Sequence, residues 1–215
     1  MNHDELGRAI KAACAYLDEP QVIVFGSQSI LGSYDTSELP AAMFVSREVN
    51  ILPLMGITDP PSVEDKLLLL DAQLSEDAPF HDHHGFYVEG TPKDVVALPT
   101  NWENRLVHFT VDDGLSPLYE RTGLCLDPID LCASKALAGR EKDREFVAAL
   151  VTKNLVDAEQ ILDRIDGGID WPPGYRADSR IMLDRARSWL KQFADHRPGE
   201  TGQGAPAADP DTAEG

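Results

Sequence analysis

Apolar residues recur at helical spacing from the start of the chain. Leu6, Ile10, Cys14 and Leu17 form one stripe and predict a helix over Asp4 to Leu17. The pattern then tightens. Val22 to Phe25 is a continuous apolar run, as in a strand covered on both faces, and the strand Gln21 to Phe25 ends at Gly26-Ser27. That turn leads into a short helix through Ile30 and Leu31, and Tyr34 to Pro40 reads as a loop. A second strand, Arg47 to Leu52, is stopped by Pro53. Its alternation puts Glu48 and Asn50 on one face and Val49 and Ile51 on the other.

Further along, Val63 to Leu74 reads as a helix capped by Ser62. Gly85 to Val88, Leu106 to Val111 and Leu124 to Leu126 read as strands, with a turn at Asp112-Asp113-Gly114. Asp127 is placed as an N-cap and Pro128 as the first residue of a helix that runs to Ala138 and pauses at Gly139. Three more helices are expected over Glu141 to Val151, Asp157 to Ile165 and Asp178 to Ala194. From His196 the composition turns to Pro, Gly, Ala and acid, which predicts a disordered tail. No internal repeat is visible. The order implies an α/β or α+β core over residues 1–125, a helical part over 126–195 packed on it, and an acidic tail over 196–215.

Composition narrows the partners. At 215 residues the chain can bury a real core, and its net charge of −18 comes from 37 acids against 19 Lys and Arg. Four of those acids, Glu200, Asp209, Asp211 and Glu214, lie in the tail, so most of the acidity belongs to the folded part. Such a surface repels nucleic acid at long range unless a local basic strip intervenes. Cys14, Cys125 and Cys132 are odd in number, lack CxxC spacing and sit in apolar segments, so they read as buried reduced thiols. No apolar run approaches membrane-spanning length, and Met-Asn-His-Asp-Glu is not signal-like. The expectation is a cytoplasmic protein with no membrane partner.

Three stretches can carry chemistry. Gly26-Ser27 lets the backbone approach a ligand closely, and Ser27 offers a hydroxyl to a phosphate; the same dipeptide also serves as a plain turn. Glu48 and Asn50 present two side-chain oxygens that suit Mg²⁺, although Asn50 brings no charge, and an exposed polar strand face would look the same. The third is Lys135 to Asp143. Asp143 precedes the apolar stripe of Phe146, Val147 and Leu150 by three, four and seven residues, so it points inward. A buried carboxylate is costly unless paired, and Lys135, Arg140 and Lys142 are its nearest candidates. The group reads either as a helix-joining salt bridge or as a triphosphate-binding Lys with an orienting Asp. His81-Asp82-His83-His84 fits no zinc spacing and reads as a loop that is solvated or that positions one His for packing.

These pieces together resemble the nucleotidyltransferase superfamily, in particular a bacterial nucleotidyltransferase-like group related to the toxins of the AbiE type, or MenT toxins. The likeness rests on the Gly26-Ser27 turn, Glu48-Val49-Asn50, Asp130 to Lys135, and Gly139 to Asp143. Ser27 to Gly32, Leu98 to Leu106 and Ala138 to Asp143 look like shared phrases of that group, and the likeness spans roughly Leu6 to Ile165. It implies a mixed β-sheet flanked by helices. Gly26 and Ser27 would contact nucleotide phosphates, Glu48 and Asn50 would hold Mg²⁺, Lys135 would grip the triphosphate, and Asp143 would support the site. Arg140 and Lys142 would contact nucleotide or acceptor. The implied reaction moves an NMP from an NTP to an RNA (tRNA) or protein acceptor, in a toxin–antitoxin or defence setting with a cognate antitoxin as partner.

The chain departs from that pattern at Asn50, where the family carries its second acid. A third carboxylate on the Leu106 to Val111 strand has no evident candidate among Glu103, His108 and Asp112. The alternatives are a weakened, nucleotide-binding pseudoenzyme, or an antitoxin-like or scaffold protein that covers a basic partner.

Overall fold

The computed structural model describes residues 1–111 and 120–194. The turn expected at Asp112-Asp113-Gly114 and the tail expected from residue 196 lie outside the described residues. The fold is mixed α/β, with one five-stranded sheet, flanking helices and a helical C-terminal half.

Strand β1 (Gln21–Phe25) is the middle strand, and Val22 to Phe25 are all buried. That position explains the continuous apolar run, because a strand paired on both edges and packed on both faces has no solvent side. On one side it pairs antiparallel with β2 (Glu48–Pro53), which pairs parallel with β3 (Tyr87–Gly90). On the other it pairs parallel with β6 (Arg121–Cys125), which pairs antiparallel with β5 (Val107–Val111). The order across the sheet is β3-β2-β1-β6-β5. Leu98–Pro99 (β4) and Ile169–Asp170 (β7) form a separate antiparallel pair that ties the late part of the chain to the core.

Helix α1 (His3–Leu17) buries Leu6, Ile10, Cys14 and Leu17 against the sheet. It starts in a reciprocal cap in which the Asn2 side chain accepts from the Glu5 amide and Glu5 accepts from the Asn2 amide. Helix α2 (Glu64–Leu74) packs on β3. Ser62 does not cap it. Pro60-Pro61 starts a 3₁₀ turn earlier than expected, and the Ser62 hydroxyl donates to the Asp59 carbonyl at 2.8 Å. The histidine-rich stretch is likewise a short helix, α3 (Pro79–His84), and not a loop. Pro79 opens it and Gly85, in the left-handed conformation, closes it.

Helix α4 (Pro128–Ala138) begins as expected, with the Asp127 carboxylate accepting from the Ile129 and Asp130 amides at 3.0 and 3.2 Å. It packs against α5 (Glu141–Thr152), α6 (Ala158–Asp166) and α7 (Ser179–Ala194). Asp130 on α4 is fully buried and has two cations. Arg105 reaches it through Nε at 2.8 Å and Nη2 at 3.0 Å, and Arg164 of α6 through Nη1. One carboxylate therefore pins α4 to the segment before β5 and to α6. All three cysteines are buried free thiols, and burial pushes each thiol up to about 12. Among the described residues no helix is long and apolar enough to cross a membrane.

The cap on α4 can be tested alone. Asp127→Ala removes a carboxylate that holds two amides and lies 3.5 Å from Arg164. A loss of about 1 kcal/mol is expected, read as a fall of roughly 2–4 °C in the thermal midpoint. An unchanged midpoint would show that the cap contributes nothing.

Candidate functional site

Antiparallel pairing of β1 and β2 sets Phe25 opposite Asn50, so the turn that ends β1 lies beside the start of β2. Parallel pairing of β1 and β6 brings the end of β6, and so the start of α4, to the same edge. Parallel pairing of β2 and β3 sets Tyr87 beside Glu48 and Glu89 beside Asn50. The topology thus gathers residues far apart in sequence at one end of the sheet. They line a cleft of about 920 Å³ whose walls include Gly26, Ser27, Glu48, Asn50, Tyr87, Lys135, Arg140, Lys142, Asp143 and Tyr175. Every residue singled out in the sequence for phosphate, metal or catalytic work lies on this cleft.

Gly26 sits at φ 68°, ψ −166°, a conformation that essentially only glycine adopts. A Cβ there would also overlap the Asn50 Oδ1. The turn after it is fastened internally: the Ser29 hydroxyl donates to the Gly26 carbonyl at 2.8 Å. Buried Gln28 donates to the Ser46 carbonyl at 2.9 Å, which ties the turn to the approach of β2. Ser27 is left half-buried on the cleft wall.

Glu48 and Asn50 do share a face. The Asn50 Nδ2 donates to a Glu48 carboxylate oxygen. Glu89 completes the group from the neighbouring strand. Burial, and then the charge of Glu48, hold its carboxyl above its usual range. Burial and the charges of Glu48, Glu76 and Glu89 push the Tyr87 phenol up in the same way. The oxygen set is therefore two carboxylates and one amide. Among the described residues no three His, Cys, Asp or Glu side chains converge as a metal site. Of the histidines, His81 reaches the cleft, its ring 5.3 Å from that of Tyr87, while His84 packs on Phe80 and Phe86.

Across the cleft stands a buried ion cluster. Asp143 has no exposed side-chain surface; Lys135 Nζ donates to its Oδ1 at 3.0 Å and Arg140 Nε to its Oδ2 at 2.6 Å. Burial alone would raise the Asp143 pKa, but the Arg140 hydrogen bond and the Lys135 charge outweigh it and hold the carboxyl below its usual range. Burial lowers the Lys135 pKa, against the opposing pull of Asp143. The ammonium also lies 4.5 Å from the centre of the Phe146 ring, and the Lys135 side chain, 11% exposed, lines the cleft. Arg140 is 65% exposed, and Lys142 is exposed on the rim.

Sequence reading missed Glu89, Tyr87 and Tyr175. Glu89 alternates with Val88 as a strand residue should, but only the β2–β3 register shows what it stands beside. The expected search for a third acid on β5 fails for a topological reason, since β5 is the far edge of the sheet from β2 and β3. Glu103 instead pairs with Lys93 at 3.5 Å. A second hollow of about 510 Å³ is lined by Arg105 and Arg164, whose guanidiniums are engaged by Asp130. Comparison with known proteins gives no matching family model, no matching curated protein and no matching solved structure.

Asp143→Asn would leave Lys135 buried without its counter-charge. A loss of about 3 kcal/mol is expected by denaturant unfolding. The native pKa of Asp143 lies below its unfolded value of 3.8. Its contribution is therefore present in full above that value and is lost as pH falls through the lower native pKa. In Asp143→Asn that share of the acid dependence should vanish. An acid unfolding profile identical to that of the unaltered chain would contradict the assignment.

Proposed function

We propose that the cleft is the active site of a nucleotidyltransferase that moves an NMP from an NTP to a hydroxyl of an RNA or protein acceptor. The observation that supports this most is the meeting of a Gly-only turn, the Glu48–Asn50 pair and a buried Lys135 in one cavity, with Glu89 opposite Asn50 on the next strand. In such a reaction the acceptor oxygen bonds to the α-phosphorus as the bond from that phosphorus to the pyrophosphate oxygen breaks. Ser27 and the turn amides would hold phosphate oxygens. Lys135 would donate to the triphosphate and stabilise the charge on the departing pyrophosphate. Asp143 would fix the Lys135 ammonium in place, and Arg140 and Lys142 would extend the cationic wall.

The residues present fit Mg²⁺. Glu48, Asn50 and Glu89 are hard oxygen donors, and a bound cation would offset the Glu48 charge that, after burial, raises the Glu89 carboxyl. When bound, the ion would neutralise charge on the phosphates. The acceptor, and a role in a toxin–antitoxin or defence pair, follow from the family likeness of the motifs.

One observation favours a second reading. Asn50 spends its amide on Glu48 and adds no charge, which suits a protein that binds nucleotide, or an acidic-faced antitoxin or scaffold, without transfer.

The two readings separate in one assay. The chain, Asn50→Asp and Lys135→Met would each be incubated with Mg²⁺, each labelled NTP, tRNA and cell protein. The transferase reading expects label on an acceptor, retained or increased in Asn50→Asp and cut on the order of 100-fold or more in Lys135→Met. Methionine keeps the packing on Phe146 and Arg140 still pairs Asp143, and a thermal unfolding curve of the variant checks that it is folded. Absence of label from both the chain and Asn50→Asp would sink transfer and leave the binding reading. Full activity in Lys135→Met would refute the role of Lys135.

A further inference from the structure

The cleft has two exposed tyrosine-bearing regions of opposite electrostatic character. Tyr87 stands among Glu48, Glu76 and Glu89. Tyr175 lies on the same cleft as Lys135, Arg140 and Lys142. Phe25 and Phe146 also line the cleft, but Phe25 is buried in the core against Trp102, with ring centres 5.5 Å apart. Phe146 lies under Lys135. Tyr175 is 39% exposed, and no ring of the protein stacks on it among the described residues.

Its mounting is stiff. Trp171-Pro172-Pro173-Gly174-Tyr175 follows β7, and the two prolines fix their own φ angles. The Tyr175 amide donates to the Pro172 carbonyl at 3.0 Å, and the Asp178 amide donates to the Tyr175 carbonyl at 3.1 Å. A 3₁₀ turn so closed on both sides fixes the backbone from which the ring projects, so little backbone entropy is left to lose there. Met182 of α7, half-buried, adds polarizable apolar surface to the same cavity. A half-exposed ring and a thioether beside a wall of cations form a surface for a flat, apolar-faced group attached to an anion.

We propose that Tyr175 is the platform on which the nucleobase stacks, with the phosphates directed towards Lys135 and Ser27. The inference rests on the nucleotide-site reading above and adds the orientation of the nucleotide: base to the Tyr175 wall, acceptor to the Tyr87 side. Stacking uses a π-face that every base has, and purines present more of it, so the site favours ATP and GTP over CTP and UTP without reading base edges.

Two probes separate this inference from the reading beneath it. Binding of ATP and of tripolyphosphate, which lacks a base, would be measured by calorimetry in Mg²⁺ for the chain, Tyr175→Ala, Tyr175→Phe and Lys135→Met. The expected result is a loss of ATP affinity of roughly 10-fold in Tyr175→Ala, unchanged tripolyphosphate affinity in that variant, and near-full recovery in Tyr175→Phe. Lys135→Met should weaken both ligands. ATP affinity unchanged in Tyr175→Ala, while Lys135→Met still weakens both ligands, would overturn the platform and leave the phosphate site standing. Equal weakening of ATP and tripolyphosphate in Tyr175→Ala would also overturn it. No binding of either ligand by the unaltered chain would overturn the nucleotide site and the platform together.

Discussion

A carboxylate with no exposed surface must be accompanied, and Asp143 fixes much of the site by that need. Its two oxygens engage Lys135 at 3.0 Å and Arg140 at 2.6 Å. Lys135 is on α4, Arg140 caps the start of α5, and Gly139, in the left-handed conformation, makes the turn between them. A side chain at Gly139 would meet the Arg185 guanidinium, so α7 is packed against that turn as well. The pair is therefore more than a surface bridge: moving Lys135 would strand a buried charge. What lines the cleft is a lysine whose ammonium is positioned by the buried Asp143.

The other wall obeys a different constraint. Glu48, Asn50 and Glu89 are placed by strand register, and register is fixed because a slip of one residue would turn Val49 and Ile51 out of the core. The turn at Gly26 then closes on Asn50 so tightly that no side chain fits. One wall is thus held by hydrophobic burial and ladder pairing, and the other by a buried ion cluster. Two independent supports of this kind keep the walls of a polar cleft from collapsing onto each other, since each polar group already has its geometry set from behind.

This division also explains what could be read from the residues beforehand. Local signals were sufficient for α1, β1 and the start of α4, where the apolar stripe, the apolar run and Asp127-Pro128 are each contained in a few residues. The inward-facing Asp143 was legible for the same reason, from its offset to Phe146, Val147 and Leu150. Ser62 misled because Pro60-Pro61 starts a 3₁₀ turn first, and the histidines misled because their bracketing Pro79 and Gly85 were outweighed by their polarity. Glu89 and Tyr175 were hidden for another reason. Neither has a local mark, and each acquires its meaning from a partner brought close only by the parallel β2–β3 pairing or by the return of the chain through β7.

The acidity of the chain bears on how such a cleft can work. With 37 acids against 19 Lys and Arg, the mean field around the molecule repels any polyanion. Affinity for a phosphate must then come from short-range contacts, and the cations of the cleft are arranged for that. Lys135 is buried enough to be poorly screened by salt, while Arg140 and Lys142 are at the rim where attraction fades within about 10 Å. An extended nucleic acid would meet the repulsion along its whole length and the attraction at one place. A single triphosphate, or one chain end inserted into the cleft, would exchange a brief repulsion for several charge-assisted hydrogen bonds. If the cleft binds phosphates as proposed, the charge balance would favour compact anions and termini without any residue dedicated to that discrimination.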